Sequence, residues 1–107
     1  MKLILAIVSI EDSSKVSASL TKARFSVTKL ATTGRFLKAG KTTFLIGVQD
    51  EKVDEVIKSI GDHSKKRTQM VPSSASYGVG MYSSYPIEVT VGGATIFVMD
   101  VERFEKL

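Results

Sequence analysis

The feature that most constrains this fold is an apolar run near the start of the sequence, from Leu3 to Ile10. Such a run predicts a central β-strand that is covered on both faces. The run is too short to cross a bilayer, and the charges Glu11 and Asp12 follow it directly. Because a chain of 107 residues typically builds one core, we expect a single domain over 1–107. We also expect a cytosolic location and no membrane insertion.

Two helices and two more strands are predicted downstream. The first helix follows the polar residues 12–14, which are N-cap candidates. Alternation predicts a strand over 25–33, and a second apolar strand runs over 42–48. The second helix is predicted from a cap at Asp50 to a stop at Gly61, because apolar side chains recur there at intervals of three and four.

The remaining sequence predicts a long loop and then a hairpin. Residues 62–86 show no regular periodicity, which is typical of a functional or disordered loop. Apolar and polar residues alternate over 87–91, and the pair Gly92-Gly93 suits a tight turn into a strand over 95–99. The order predicts an α+β, ferredoxin-like βαββαβ fold with an extra C-terminal strand. Its loop after strand 2 is expected to be short, and its loop before the last hairpin long.

The stretch TTGRFLKAGKTT, residues 32–43, is superficially similar to a nucleotide-binding P-loop. A P-loop requires a glycine five positions before the glycine of its GK pair, where this sequence has Arg35. It also requires a helix after the lysine, whereas TTFLIGV predicts a strand. We therefore do not expect a P-loop ATPase.

Other catalytic chemistry is equally unsupported. The sequence has no cysteine, which excludes disulfides, thiol nucleophiles and cysteine-ligated metals. It has one histidine, His63. No serine lies in a G-x-S-x-G turn, and capping or helix-dipole roles explain most acidic residues. An RNA-recognition sheet would need several exposed aromatics, but TTFLIGV has only Phe44. We expect no enzyme, no metal site and no nucleic-acid polymer as partner.

Positive charge is concentrated in one segment. Residues 22–41 hold six of the fifteen lysines and arginines and none of the eleven acids. This bias indicates either an anionic partner or a solvated basic face. Phe36 and Leu37, at a predicted loop tip, suit either base stacking or packing on a neighbouring subunit.

Five segments of the sequence together resemble one family. They are VTKLATTG (27–34), FLKAG (36–40), TTFLIGV (42–48), YPIEVTVGGAT (85–95) and IFVMDV (96–101). They are similar to the PII-like cyclic-di-AMP receptors of Gram-positive bacteria. The resemblance implies a non-enzymatic homotrimer that binds the cyclic dinucleotide in clefts between subunits, without another cofactor. It also implies that loop rearrangement changes the binding of a downstream protein, which the sequence does not name.

The resemblance also implies a set of ligand-binding residues. Five positions match the family: Thr28, Phe36, Leu37, Gly47 and Phe97. Four others depart from it, since Arg24, Ser26, Arg35 and Lys41 replace asparagine, arginine, glycine and asparagine respectively. The predicted set also includes Val27 and Gly34. Two hypotheses follow: a cyclic-di-AMP receptor, or a PII-like trimeric interaction protein whose ligand has changed or been lost.

Overall fold

The computed structural model describes residues 1–30, 40–71 and 86–107. Its elements in chain order are β1 (Lys2–Ser9), α1 (Ile10–Lys22), β2 (Val27–Lys29), β3 (Lys41–Val48), a 3-10 turn (Asp50–Lys52), α2 (Val53–Asp62), β4 (Arg67–Val71), β5 (Ile87–Val91) and β6 (Ala94–Asp100).

A four-stranded antiparallel sheet holds the structure together, with the strand order β2-β3-β1-β6. The strand β1 is central, as predicted. It pairs with β3 from Lys2↔Val48 to Ser9↔Lys41, and with β6 from Lys2↔Asp100 to Val8↔Ala94. This strand order and the two helices confirm the α+β, ferredoxin-like fold.

One face of the sheet forms the core with the helices. The even-numbered positions of β1 and β3 point to this face, because side chains alternate along a strand. The fully or almost fully buried apolar side chains are Ile4, Ala6, Val8, Val16, Leu20, Phe44, Ile46, Val48, Val56 and Ile60.

The opposite face of the sheet is apolar but only partly covered. We call it the open face and define it by Leu3, Leu5, Ile7, Leu45, Phe97 and Met99, which the strand register places together. Phe97 is 52% exposed and Met99 39% exposed. The expectation that β1 is covered on both faces therefore does not hold within one chain. The two helices lie on the same side of the sheet, so none of the described helices shields the other side.

The start of α1 differs from the prediction. The helix begins at Ile10 directly after β1, with Ser9 at the N-cap position, so the predicted caps at 12–14 lie inside the helix. Ser13 donates a hydrogen bond from its hydroxyl to the Ile10 carbonyl oxygen at 2.8 Å. Asp12 is buried and accepts hydrogen bonds from Arg67 instead of capping. A tertiary partner thus accounts for Asp12, whereas Ser13 makes a local hydrogen bond within the helix.

The second helix also begins later than predicted. Asp50 opens the 3-10 turn, and its carboxylate lies 2.8 Å from the amino nitrogen of Met1, so it does not cap α2. The helix ends at Asp62, one residue beyond the predicted stop at Gly61. The strand predicted over 25–33 is observed at Val27–Lys29, and its residues 31–33 lie outside the described part.

The predicted hairpin of 87–91 with 95–99 is wrong. β5 pairs with β4 in a separate two-stranded sheet, whereas β6 pairs with β1. We call the β4–β5 pair the ribbon. Its first strand, Arg67–Val71, falls in the segment predicted as a loop. The glycines Gly92 and Gly93, with φ of 86° and 82°, carry the chain from the ribbon into the central sheet.

The base of the ribbon is tied to the sheet and to α1. The Arg67 guanidinium donates to both Asp12 carboxylate oxygens, at 2.9 and 3.2 Å, and lies 3.6 Å from Glu11. This hydrogen bonding raises the pKa of Arg67. The Gly92 amide donates to the Ser9 hydroxyl at 3.1 Å, and the Gly93 amide donates to the Ser64 carbonyl oxygen. Because an isolated two-stranded pair is marginal in water, these contacts between described residues stabilise the ribbon.

Candidate functional site

A cavity of about 370 Å³ opens on the open face, where β1 begins and β3 ends. Three of the predicted ligand-binding residues line it: Ser26, Thr28 and Gly47. The remaining lining residues are Met1, Leu3, Leu45, Val101 and Phe104. The structure thus brings together Ser26 and Gly47, which are 21 positions apart in the sequence. The lining is largely apolar, with two hydroxyl groups.

Strand register explains this convergence. Thr28 pairs with Leu45 across the β2–β3 ladder, and Gly47 pairs with Leu3 across the β3–β1 ladder. Directly opposed residues project to the same face of a sheet, so all four line the open face. A Cβ at Gly47 would lie 3.1 Å from the terminal methyl of Met1, so a side chain there would require Met1 to shift.

Arg24 lies next to this cavity. It lines a neighbouring depression of about 290 Å³ together with Ser26, Gly47 and Lys52, among others. Its backbone has φ of 69°. The amides of Arg24 and Phe25 donate to the carbonyl oxygens of Thr21 and Leu20 at 2.9 and 3.0 Å. This is the Schellman pattern that ends a helix, in which glycine normally occupies the position of Arg24.

Lys41 is not part of this cavity within one chain. It lies six residues before Gly47 on β3, which corresponds to about 20 Å along an extended strand. Its side chain lines a different pocket, of about 250 Å³, at the opposite end of the sheet. Its ammonium lies 3.5 Å from the Ser9 hydroxyl oxygen.

The other predicted residues are placed as follows. Phe97 pairs with Leu5 in the middle of the open face, outside the cavity lining. Val27 packs against the core on the helix side. Gly34, Arg35, Phe36 and Leu37 lie outside the described residues. The described part of the set therefore divides into a group around the cavity, Lys41 at the far end, and two residues elsewhere.

Five cavity-lining residues were not predicted: Met1, Leu3, Leu45, Val101 and Phe104. Odd-numbered apolar positions in β1 and β3 were the available signal for Leu3 and Leu45, since alternation gives each strand a second face. Phe104 is 63% exposed. An aromatic side chain among the polar residues that end the sequence was the corresponding signal for it.

Within the described ranges, no group of three or more histidine, cysteine, aspartate or glutamate side chains is arranged to hold a metal ion. Among the same residues, neither helix has the length and apolar character needed to cross a membrane.

Comparison with known proteins identifies the relationship. A family profile described as cyclic-di-AMP receptor matches residues 1–107. The crystal structure of a functionally unknown protein from Pediococcus pentosaceus is 38% identical and superimposes with a TM-score of 0.75, covering 99% of this chain and 96% of that one. Because the function of that protein is unknown, the likeness bears on the fold and on common ancestry. The family match extends over all 107 residues, and the chain therefore belongs to the cyclic-di-AMP receptor family.

Proposed function

We propose that this protein is a PII-like signal-transduction receptor that binds cyclic-di-AMP in the clefts between subunits of a homotrimer. In this proposal residues 1–107 act as one domain in the cytoplasm, without catalysis and without another cofactor. The observation that carries the proposal is the convergence of Ser26, Thr28 and Gly47 in one cavity. Membership of the cyclic-di-AMP receptor family supports cyclic-di-AMP as the ligand.

The cavity suits part of such a ligand. The side chains of Leu3, Leu45 and Phe104 offer apolar contact to a purine ring. The hydroxyls of Ser26 and Thr28 can donate hydrogen bonds to a phosphate or accept them from a base. The absence of a side chain at Gly47 allows close approach of the ligand to β3.

A site between subunits is supported by the open face. Its apolar side chains extend beyond the cavity and leave Phe97 and Met99 substantially exposed. Exposed apolar patches of this kind mark interaction surfaces. We propose that copies of the chain pack there and that each cleft takes side chains from two copies. Binding then rearranges the loops and alters the binding of a downstream protein.

Isothermal titration of the purified protein with cyclic-di-AMP tests this function. We expect saturable heat at micromolar concentrations, and we expect Thr28→Ala to weaken binding about tenfold, the loss of one good hydrogen bond. Glu51→Ala is the matched control, because Glu51 is exposed in the 3-10 turn and lines none of these cavities. Absence of heat at tens of micromolar would contradict the proposal.

A second candidate is a PII-like trimeric interaction protein whose site has changed or lost its nucleotide. It is favoured by the cavity itself, whose lining contains no lysine or arginine side chain, with Ser26 in place of the arginine of the family. Arg24 lines only the neighbouring depression, and a phosphate that no cation contacts forgoes its strongest kind of hydrogen bond. A thermal-shift screen separates the candidates: stabilisation by ATP or another anion, but not by cyclic-di-AMP, supports the second.

A further inference from the structure

The end of the sheet opposite the cavity carries a second pocket, at the base of the ribbon. It has a volume of about 250 Å³. Its lining residues are Ile7, Lys41, Lys66, Gly92, Gly93, Ala94 and Thr95. We propose that this pocket binds a phosphate-type oxyanion between the side chains of Lys41 and Lys66. Lys66 was not among the residues predicted to bind a ligand.

Each lysine makes a contact at or beside the pocket. The hydrocarbon stem of Lys66 lies along Gly93, since a Cβ on Gly93 would meet three of its carbons at 3.1 to 3.8 Å. The ammonium of Lys41 is held 3.5 Å from the Ser9 hydroxyl oxygen. Ordering a long side chain in advance lowers the entropic cost of binding a ligand with it.

Neither ammonium is neutralised by a carboxylate. Among residues 1–30, 40–71 and 86–107, every ion pair involves other cations. The segments 31–39 and 72–85 contain no aspartate or glutamate. The nearby Arg67 does have acidic partners, Asp12 and Glu11. Two unpaired cations that line one pocket repel each other. An anion bound between them attracts both and so offsets that repulsion.

Side chains, not the glycine backbone, provide the binding groups. The amides of Gly92 and Gly93 are already used by the Ser9 hydroxyl and the Ser64 carbonyl oxygen. The side-chain donors of the lining are the two ammonium groups and the Thr95 hydroxyl, which together suit a tetrahedral oxyanion. A free phosphate and a phosphate group of cyclic-di-AMP share this chemistry. Binding of cyclic-di-AMP in this pocket rests on the proposed function, whereas binding of free phosphate does not.

Two-dimensional ¹H–¹⁵N NMR titrations test the pocket, with sodium phosphate and cyclic-di-AMP in separate series at constant ionic strength. We expect at least one of these anions to shift the Gly92, Gly93 and Thr95 amide signals saturably. Lys66→Gln is expected to weaken that binding roughly tenfold, as loss of a charge-assisted contact should. Lys22→Gln removes an exposed lysine of α1 outside the pocket and should leave it unchanged.

The outcomes separate this inference from the proposed function. If phosphate shifts these amides but cyclic-di-AMP binds nowhere, the pocket stands and the proposed function fails. If cyclic-di-AMP shifts the Thr28 and Gly47 signals, while neither anion gives shifts that depend on Lys66, the pocket is overturned and the proposed function stands. Equal affinities of Lys66→Gln and the unchanged protein also overturn the pocket.

Discussion

Gly92 and Gly61 differ in whether the surrounding structure leaves room for a side chain. Gly92 has φ of 86°, and a Cβ there would collide with the Lys65 carbonyl oxygen and lie 2.8 Å from an Arg67 nitrogen. Gly61 lies in the last turn of α2, where a Cβ would meet nothing within 4 Å. The same substitution is therefore expected to have opposite signs at the two positions.

We expect Gly92→Ala to lower the free energy of unfolding by about 2–4 kcal/mol, from backbone strain and steric overlap. Gly61→Ala should raise it by up to about 1 kcal/mol, because alanine favours the helix. Urea unfolding followed by circular dichroism measures both changes. Equal effects of the two substitutions would contradict the assignment of Gly92 as the residue that redirects the chain.

Arg24 has a structural role that the resemblance to the family does not reveal. The sequence comparison treats it only as a departure from an asparagine that contacts ligand. The structure shows that this position also has a left-handed backbone that ends α1. Asparagine tolerates that conformation better than arginine does.

Arg24→Asn is accordingly expected to stabilise the protein by about 0.5–1 kcal/mol. If the proposed function holds, the amide should also tighten cyclic-di-AMP binding. Urea unfolding and titration calorimetry report the two effects independently. Lys22→Asn, in the last turn of α1 where the backbone is helical, is the control and should give no gain in stability.

At the scale of elements, Arg67 provides one of the contacts that attach the ribbon to the rest of the protein. Arg67 spans from β4 to the buried carboxylate of Asp12 on α1, so its loss leaves a buried charge without its partner. We expect Arg67→Gln to speed hydrogen exchange of the amides in 67–71 and 87–91 roughly tenfold. The central strands should be affected less. Arg103→Gln, which breaks the exposed pair with Glu105, should leave the ribbon unchanged.

The sequence was sufficient for the central elements because their patterns are local. Continuous apolar runs predicted β1 and β3, and helical spacing predicted α1 and α2. By contrast, RTQMV has no clear alternation, so β4 was placed in a loop. A Gly-Gly pair satisfies a hairpin turn and a change of sheet equally well. Only the long-range pairing of β5 with β4 and of β6 with β1 decides between them.

The same limit applies to the candidate site. Resemblance named Ser26, Thr28 and Gly47 but could not show that they meet Leu3 and Phe104. That meeting depends on the register Leu3↔Gly47 and on the path of residues after β6. The sequence also does not show that Lys41 lies at the opposite end of the sheet from Gly47. That placement follows from the observation that both residues belong to one continuous extended strand, β3.

At the scale of the whole molecule, the prediction concerns assembly of copies of the chain through the open face. We expect the protein to be a trimer by size-exclusion chromatography with light scattering. Leu5→Glu places a charge in the middle of the open face and should yield monomers, since a buried unpaired charge is strongly unfavourable. Thr21→Glu, on the exposed side of α1, should remain trimeric. A monomeric unchanged protein, or a trimeric and folded Leu5→Glu variant, would contradict assembly through this face.

The central position of β1 has a consequence for how the chain reaches its native state. This strand is made first, but its two neighbours come from residues 41–48 and 94–100, and the contact Lys2↔Asp100 closes nearly the full length of the chain. Such non-local pairing slows folding, because a large loop entropy is lost before the contact forms. During synthesis, one edge of β1 therefore stays unpaired until β6 has been made. Since an unpaired strand edge favours aggregation, the nascent chain is exposed to aggregation in that interval.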